Sequence, residues 1–194
     1  MTKTIRAFIA LQLPSEIKDY LQDLSQQLAS QLTADPVKWI KRHTMHLTLI
    51  FIGDGVTPAN VTQLSNVLDQ VAAATPPFPL QLSKLGCFPK PKAPRILWVG
   101  LGGQTDTLHT LKNQLDQKLE PLGWPPEKRR YNPHLTLGRV KRDHNIGRAF
   151  LPFGEPVRPL TLSATAVHLY KSTLTPQGPR YNILHTSNFR NQLQ

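Results

Sequence analysis

The sequence predicts an α+β fold: a pseudo-twofold duplication of antiparallel sheets, with helices outside and two motif-bearing strands facing a central cleft. Three observations carry that reading. The tetrapeptide His-Leu-Thr-Leu occurs twice, at residues 46–49 and 134–137. Each copy closes a strand–helix–strand pattern, although little else is shared between the halves. Helices alternate with paired strands along the chain, which argues for largely antiparallel sheets. With 194 residues and 39% hydrophobic content, the chain can build a real core. No Gly/Ser linker parts the halves, so residues 1–194 are expected to form one domain of two interlocked lobes.

RAFIALQL (6–13) reads as a buried strand. Pro14-Ser15 then opens a helix with Ile17, Tyr20, Leu21, Leu24 and Leu28 on one stripe. VKWI (37–40) and HLTLIFIG (46–53) read as a strand pair, the second ended by Gly53-Asp54-Gly55. Thr57 caps a second helix with Pro58 at its first position, and Val61, Leu64, Val67, Leu68 and Val71 form its apolar face. FPLQLSKLGCF (78–88) is the next strand. PKPKAPR (89–95) is too proline-rich for anything but a loop.

The pattern then restarts. RILWVGLG (95–102) is a strand, and residues 105–120 form a helix with Leu108, Leu111, Leu115 and Leu119 on one face. Gly123 lies just past its end, and HLTLGRV (134–140) is the next strand. KRDHNIGRAFLPF (141–153) lacks helical periodicity, so any helix there is brief and that side of the cleft more open. LSATAVHLYKS (162–172) and RYNILHTS (180–187) supply the last two strands.

Charge narrows the partners. Lys and Arg number 23 against 12 Asp and Glu, a formal +11, which favours anions and nucleic acid first. Cations cluster at Lys38-Lys41-Arg42, Lys90-Lys92-Arg95, Lys128-Arg129-Arg130 and Arg139-Lys141-Arg142, and two of these clusters flank the repeated tetrapeptides. No apolar run approaches the roughly 18 residues of a membrane span. The early apolar stretch is broken by Gln12 and Pro14, so it is a first strand and not a signal peptide. Cys87 is the only cysteine, which excludes an internal disulfide and a thiolate metal cage. A cytoplasmic, monomeric protein is expected.

Strand parity gives the tetrapeptide its meaning. Side chains alternate faces, so His46 and Thr48 point one way while Leu47 and Leu49 point into a core. His134 and Thr136 repeat this with Leu135 and Leu137. Two facing lobes would bring two His-Thr pairs to one cleft. Of two imidazoles that titrate near neutrality, one can accept a proton while the other donates one. Threonine hydroxyls can hold phosphate oxygens, and an arginine can offset their charge. That combination suits metal-free phosphodiester chemistry. Roughly 0.6 His-x-Thr triplets are expected by chance, so it is the matched setting that carries weight and not the count.

The paired HLTL segments resemble the HxTx signatures of the 2H phosphoesterase superfamily. RAFIAL, HLTLIFIGD, RILWVGL, PHLTLGRV and LYKSTLTPQGPRYNIL resemble its RNA 2',3'-cyclic phosphodiesterase branch, also named 2'-5' RNA ligase. The resemblance covers most of the chain. It implies hydrolysis of an RNA terminal 2',3'-cyclic phosphate to a 2'-phosphomonoester, with no cofactor and no metal. The RNA end, on a tRNA fragment or a short oligonucleotide, is the implied partner. His46 would be the proton donor to the departing 3' oxygen and His134 the proton acceptor from water, with Thr48 and Thr136 gripping the phosphate. Pseudo-symmetry means that the residues alone do not say which His plays which part.

Arg139 matches a phosphate-contacting arginine of that family. Strict alternation puts it on the face opposite His134, so it reaches the cleft only through a twist or a bulge, which Gly138 would permit. Its first-half counterpart, Phe51, is expected in the core. Arg42 and Arg130, each four residues before a motif histidine, are candidate RNA-backbone contacts. Of Trp39, Trp98, Phe88, Tyr131 and Tyr181, Tyr131 is the candidate to stack a terminal base, while Trp98 is expected to pack in the core. His43 and His46 fall on opposite strand faces with no acidic or thiol partner, so no metal pair is expected there. His109, His144, His168 and His185 are expected at ordinary surface or sheet positions. Two other functions compete: 2'-5' RNA end joining, the reverse chemistry, and a non-catalytic RNA- or nucleotide-binding module. Phosphate binding alone would be better served by Arg or Lys than by paired His and Thr.

Overall fold

The computed structural model describes residues 4–32, 35–142, 144, 146 and 151–190. The elements run β1 (Ile5–Gln12), α1 (Ser15–Ser30), β2 (Val37–Trp39), β3 (His46–Val56), α2 (Pro58–Ala73), β4 (Phe78–Phe88), β5 (Ile96–Gly103), α3 (Thr105–Leu119), β6 (His134–Val140), β7 (Thr161–Ala164), β8 (Ala166–Thr175) and β9 (Gly178–Asn188). Two antiparallel sheets result, one ordered β3-β1-β8-β9 and the other β2-β6-β5-β4-β7. Much of the expected stretch at 141–153 lies outside the described residues.

The duplication is visible in the pairing. β1 pairs with β3 across α1, and β5 pairs with β6 across α3. β8 flanks β1 as β4 flanks β5, and β9 and β7 lie outermost. The helices pack their predicted stripes into one core. Ile17, Leu21 and Leu28 of α1, Leu64, Leu68 and Val71 of α2, and Leu108, Leu111, Leu115 and Leu119 of α3 are all buried there. Fully burying a leucine of this kind stabilises by about 1.5–3 kcal/mol. Thr57 and Asn60 cap α2 reciprocally, each side chain meeting the other's backbone N–H, with Pro58 just inside.

Three strand expectations are corrected. β2 does not pair with β3; it joins the other sheet, where Val37, Lys38 and Trp39 pair with Val140, Arg139 and Gly138. Gly138 lets it close in, since a Cβ there would fall 2.5 Å from the Val37 side chain. LSATAVHLYKS is two strands, not one. β7 pairs with β4 in one sheet, and β8 pairs with β1 in the other. The chain therefore crosses between lobes at Thr165 and interlocks them. β3 also outlasts its glycines: Gly53 and Gly55 take positive φ, 94° and 82°, and the strand continues to Val56 opposite Ile5.

Candidate active site

β3 lies at the edge of its sheet, and β6 is second from the edge of the other. The two motif strands touch across the seam between the sheets. Leu47, Leu49, Leu135 and Leu137 are buried in the common core, as parity requires. His46, Thr48, His134 and Thr136 are half-buried on the opposite faces. Tyr131, just before β6, donates its hydroxyl to the Thr48 backbone carbonyl at 3.0 Å and so ties one motif strand to the other.

Both imidazoles are held alike. His46 Nδ1 lies 2.7 Å from the Thr44 carbonyl, and His134 Nδ1 lies 2.7 Å from the Asn132 carbonyl. A carbonyl only accepts, so Nδ1 carries the proton in each ring and Nε2 is left for chemistry. The partner in each case is the backbone two residues earlier. No side chain encodes it, and the sequence carries no sign of it.

Burial makes both rings reluctant to charge. It pushes His46 down from 6.5 to about 4, with Lys18 of α1 adding a like-charge push and the Thr44 bond opposing. His134 is also lowered, first by burial and then by Arg139, against the Asn132 bond. Aromatic rings supply the apolar surroundings. Phe8 lies 4.7 Å from His46 and Tyr181 meets it edge-on at 5.3 Å, while Phe88 meets His134 edge-on at 5.1 Å.

Matched bulges re-aim the residues beyond each motif. On β3 the register steps from Ala10↔Thr48 to Ile9↔Ile50, which leaves Leu49 as an extra residue. On β6 it steps from Trp98↔Thr136 to Leu97↔Gly138, which leaves Leu137 as the extra residue. One extra residue flips the parity beyond it. Arg139 therefore shares the His134 face, and its charge reaches both His134 and Tyr181. Phe51 correspondingly shares the His46 face. It is not core: it is 60% exposed, with its ring 6.4 Å from Phe8. The signal was present in both copies as buried apolar positions spaced two and then three apart, at 47, 49, 52 and at 135, 137, 140.

Of three other expected contacts, two are engaged within the protein. Tyr131 is packed against the core, edge-on to His109 at 5.8 Å and with Lys112 Nζ 5.7 Å from its ring centre. Its ring is thus engaged within the protein, and its hydroxyl ties the two motif strands. Arg42 is engaged by Asp19 of α1 in an ion pair, so its charge is already met. Arg130 is exposed and forms no ion pair among the described residues. Lys18 was missed, because a lone lysine on a helix gives no hint that it faces His46. Among the described residues, no three His, Cys, Asp or Glu side chains are grouped to hold a metal ion.

Comparison with known proteins fits this geometry. The family model of the 2'-5' RNA ligase superfamily matches residues 9–175, both motifs included. The chain belongs to that superfamily. A protein of Methanothermobacter thermautotrophicus named RNA 2',3'-cyclic phosphodiesterase is 33% identical over 180 residues, covering 91% of this chain and 95% of its own. One of Thermotoga maritima with the same name is 28% identical, covering 97% and 98%. The crystal structure of TT0787 of Thermus thermophilus superposes with a TM-score of 0.79 at 25% identity, over 97% of this chain and all of that one. LigT of E. coli complexed with 3'-AMP also gives 0.79, at 24% identity and the same coverage. Among the described residues, no helix is long and apolar enough to cross a membrane.

Proposed function

We propose that this superfamily member hydrolyses a terminal RNA 2',3'-cyclic phosphate to a 2'-phosphomonoester, without a metal, by paired histidine acid–base catalysis. The observation that carries the reading is the pairing of the two motifs. His46-Thr48 and His134-Thr136 stand on touching strands, with identical Nδ1 anchors that free both Nε2 atoms. The named relatives and the +11 charge support an RNA substrate.

His134, neutral and with Nε2 unprotonated, takes a proton from water as the water oxygen attacks phosphorus. The bond from phosphorus to O3' breaks, and O3' leaves with the proton of His46. Thr48 and Thr136 donate hydrogen bonds to the non-bridging oxygens, and Arg139 offsets their charge. Burial holds both rings neutral in the empty cleft. The phosphate anion reverses that balance for His46 by stabilising an imidazolium beside it. With a terminal hydroxyl of a second RNA in place of water, the same residues open the cyclic phosphate: the hydroxyl oxygen bonds to phosphorus as its proton passes to His134, the bond to O3' breaks with the proton of His46, and the ends are joined through O2'. The superfamily's description as 2'-5' RNA ligase favours that joining reaction as the second reading.

The test is hydrolysis of a 2',3'-cyclic phosphate-ended oligonucleotide in EDTA, with the product identified. Sustained activity and a 2'-phosphate are expected. Loss of activity in EDTA would sink the metal-free mechanism, and a 3'-phosphate product would overturn the assigned leaving oxygen.

A further inference from the structure

Arg139 is not the last cation on its face. Lys38, on β2 at the edge of the sheet, stands directly opposite Arg139 of β6. Direct cross-strand partners share a face, so Lys38 lies on the face that the β6 bulge gives to Arg139, together with His134 and Thr136. Its neighbours have the opposite parity. Val37 is buried, and a Cβ on Gly138 would fall 2.5 Å from the Val37 side chain and 3.0 Å from that of Trp39. Those two side chains close the core, and Lys38 between them is exposed.

Like charges placed directly opposite each other destabilise a sheet. The other cations nearby are relieved by groups of the protein itself. Arg42 pairs with Asp19, and Lys141 pairs with Asp35 at 2.9 Å. Lys41 donates to the Gln177 carbonyl at 2.9 Å, and Arg95 donates to the Arg142 carbonyl at 3.0 Å. Among the described residues, neither Lys38 nor Arg139 forms an ion pair. Arg139 meets the reacting phosphate. Lys38 is left to meet a second negative charge beside it.

We propose that Lys38 binds the phosphodiester joining the RNA's terminal nucleotide to the one before it, so that oligonucleotide ends are favoured over cyclic mononucleotides. The proposal rests on the hydrolytic reading above. A terminal cyclic phosphate has one neighbouring phosphate, on the 5' oxygen of the same ribose. Strands lie about 5 Å apart, and lysine carries its charge on a flexible four-carbon stem, so the ammonium reaches one nucleotide beyond the phosphate at Arg139. On the inner side the row turns apolar: Arg139 stands opposite Ile96, and Ile96 opposite Phe88. The charge therefore leads outward only, toward β2. As β2 ends its sheet, the rest of the RNA strand leaves over an open edge.

The test compares three substrates. Adenosine 2',3'-cyclic phosphate lacks the second phosphate, the dinucleotide ApA ended by a 2',3'-cyclic phosphate carries it, and a third has an uncharged methylphosphonate at that internal linkage. Lys38→Gln removes the charge at an exposed position, and Lys38→Arg keeps it. Lys38→Gln is expected to raise KM for the dinucleotide about tenfold, the value of one charge-assisted contact. Its kcat should stay within about threefold, and its KM for the mononucleotide within about twofold. The salt dependence of kcat/KM on the dinucleotide should flatten by about one ion, and Lys38→Arg should restore both readouts. The methylphosphonate should cost the wild type the same tenfold and cost Lys38→Gln nothing further, since lysine and phosphate act as a pair. Equal losses on mononucleotide and dinucleotide, no change on either, or an equal methylphosphonate penalty in both proteins would overturn the contact. If the wild type hydrolyses none of the three, their Kd values for wild type and Lys38→Gln are measured instead. The same pattern in Kd leaves the lysine contact standing while the hydrolytic reading fails; its absence overturns the contact as well.

Discussion

Tyr131 and Thr48 come from opposite halves of the chain, yet the Tyr131 hydroxyl donates to the Thr48 carbonyl at 3.0 Å. The bond fixes the spacing of the two motif strands, and burial raises the phenol's pKa so that it remains a donor. Tyr131→Phe should cost about 1 kcal/mol. For a chain of this size that lowers Tm by roughly 2–4 °C. Activity should fall as well, because an acid and a base act together only at a fixed separation. Thermal unfolding and kcat/KM, measured on the same preparation, check both outcomes. Unchanged kcat/KM would mean that the tie is dispensable for alignment.

The lowered histidines set a pH signature. kcat/KM reports the free protein, where burial holds His46 at about 4 and His134 below its ordinary 6.5. Both limbs of that bell should therefore lie below about 6.5. A bound phosphate anion stabilises the imidazolium, so the bell in kcat should be displaced toward alkaline pH. Coincident profiles would contradict the claim that the substrate's charge prepares the acid.

Arg139 and Phe51 occupy equivalent places beyond the two bulges, and their chemistries differ. Arg139→Ala should raise KM about tenfold or more and flatten the dependence of kcat/KM on salt. Phe51→Ala should leave the salt dependence unchanged, because no charge is lost. Steady-state kinetics from low to high ionic strength separates the two.

Gly86 gives way to the Trp98 indole, with no room for a methyl group. Gly86→Ala should destabilise by about 1–3 kcal/mol through overpacking. Trp98 fluorescence during denaturant unfolding reads the change directly. Wild-type stability would mean that the indole has another place to lie.

The legible part of this protein was periodic. Helix stripes such as Leu108-Leu111-Leu115-Leu119 and the parity of Leu47 and Leu49 belong to local repeats that any packed core must obey. What escaped depends on partners distant in sequence. β2 could not be assigned to β6 from neighbouring residues, since proximity along the chain favoured β3. The break at Thr165 falls inside a stretch, LSATAVHL, with no glycine or proline to mark it, so only the pairing reveals it. Within each motif the His and the Thr share one face of their own strand, as parity required. Arg139 and Phe51 were misjudged or left open for a single reason, a one-residue bulge that reverses alternation. The Thr44 and Asn132 anchors are backbone atoms and leave no trace in residue identity.

The account stands on two histidines acting as one unit. Its most direct test is kcat/KM for cyclic phosphate hydrolysis by the wild type, His46→Ala, His134→Ala and the double variant. Each single substitution should cost about 10²–10⁴-fold, and the double variant should be little worse than either. Activity within about tenfold of wild type in either single variant, or fully multiplicative losses in the double, would contradict paired acid–base catalysis.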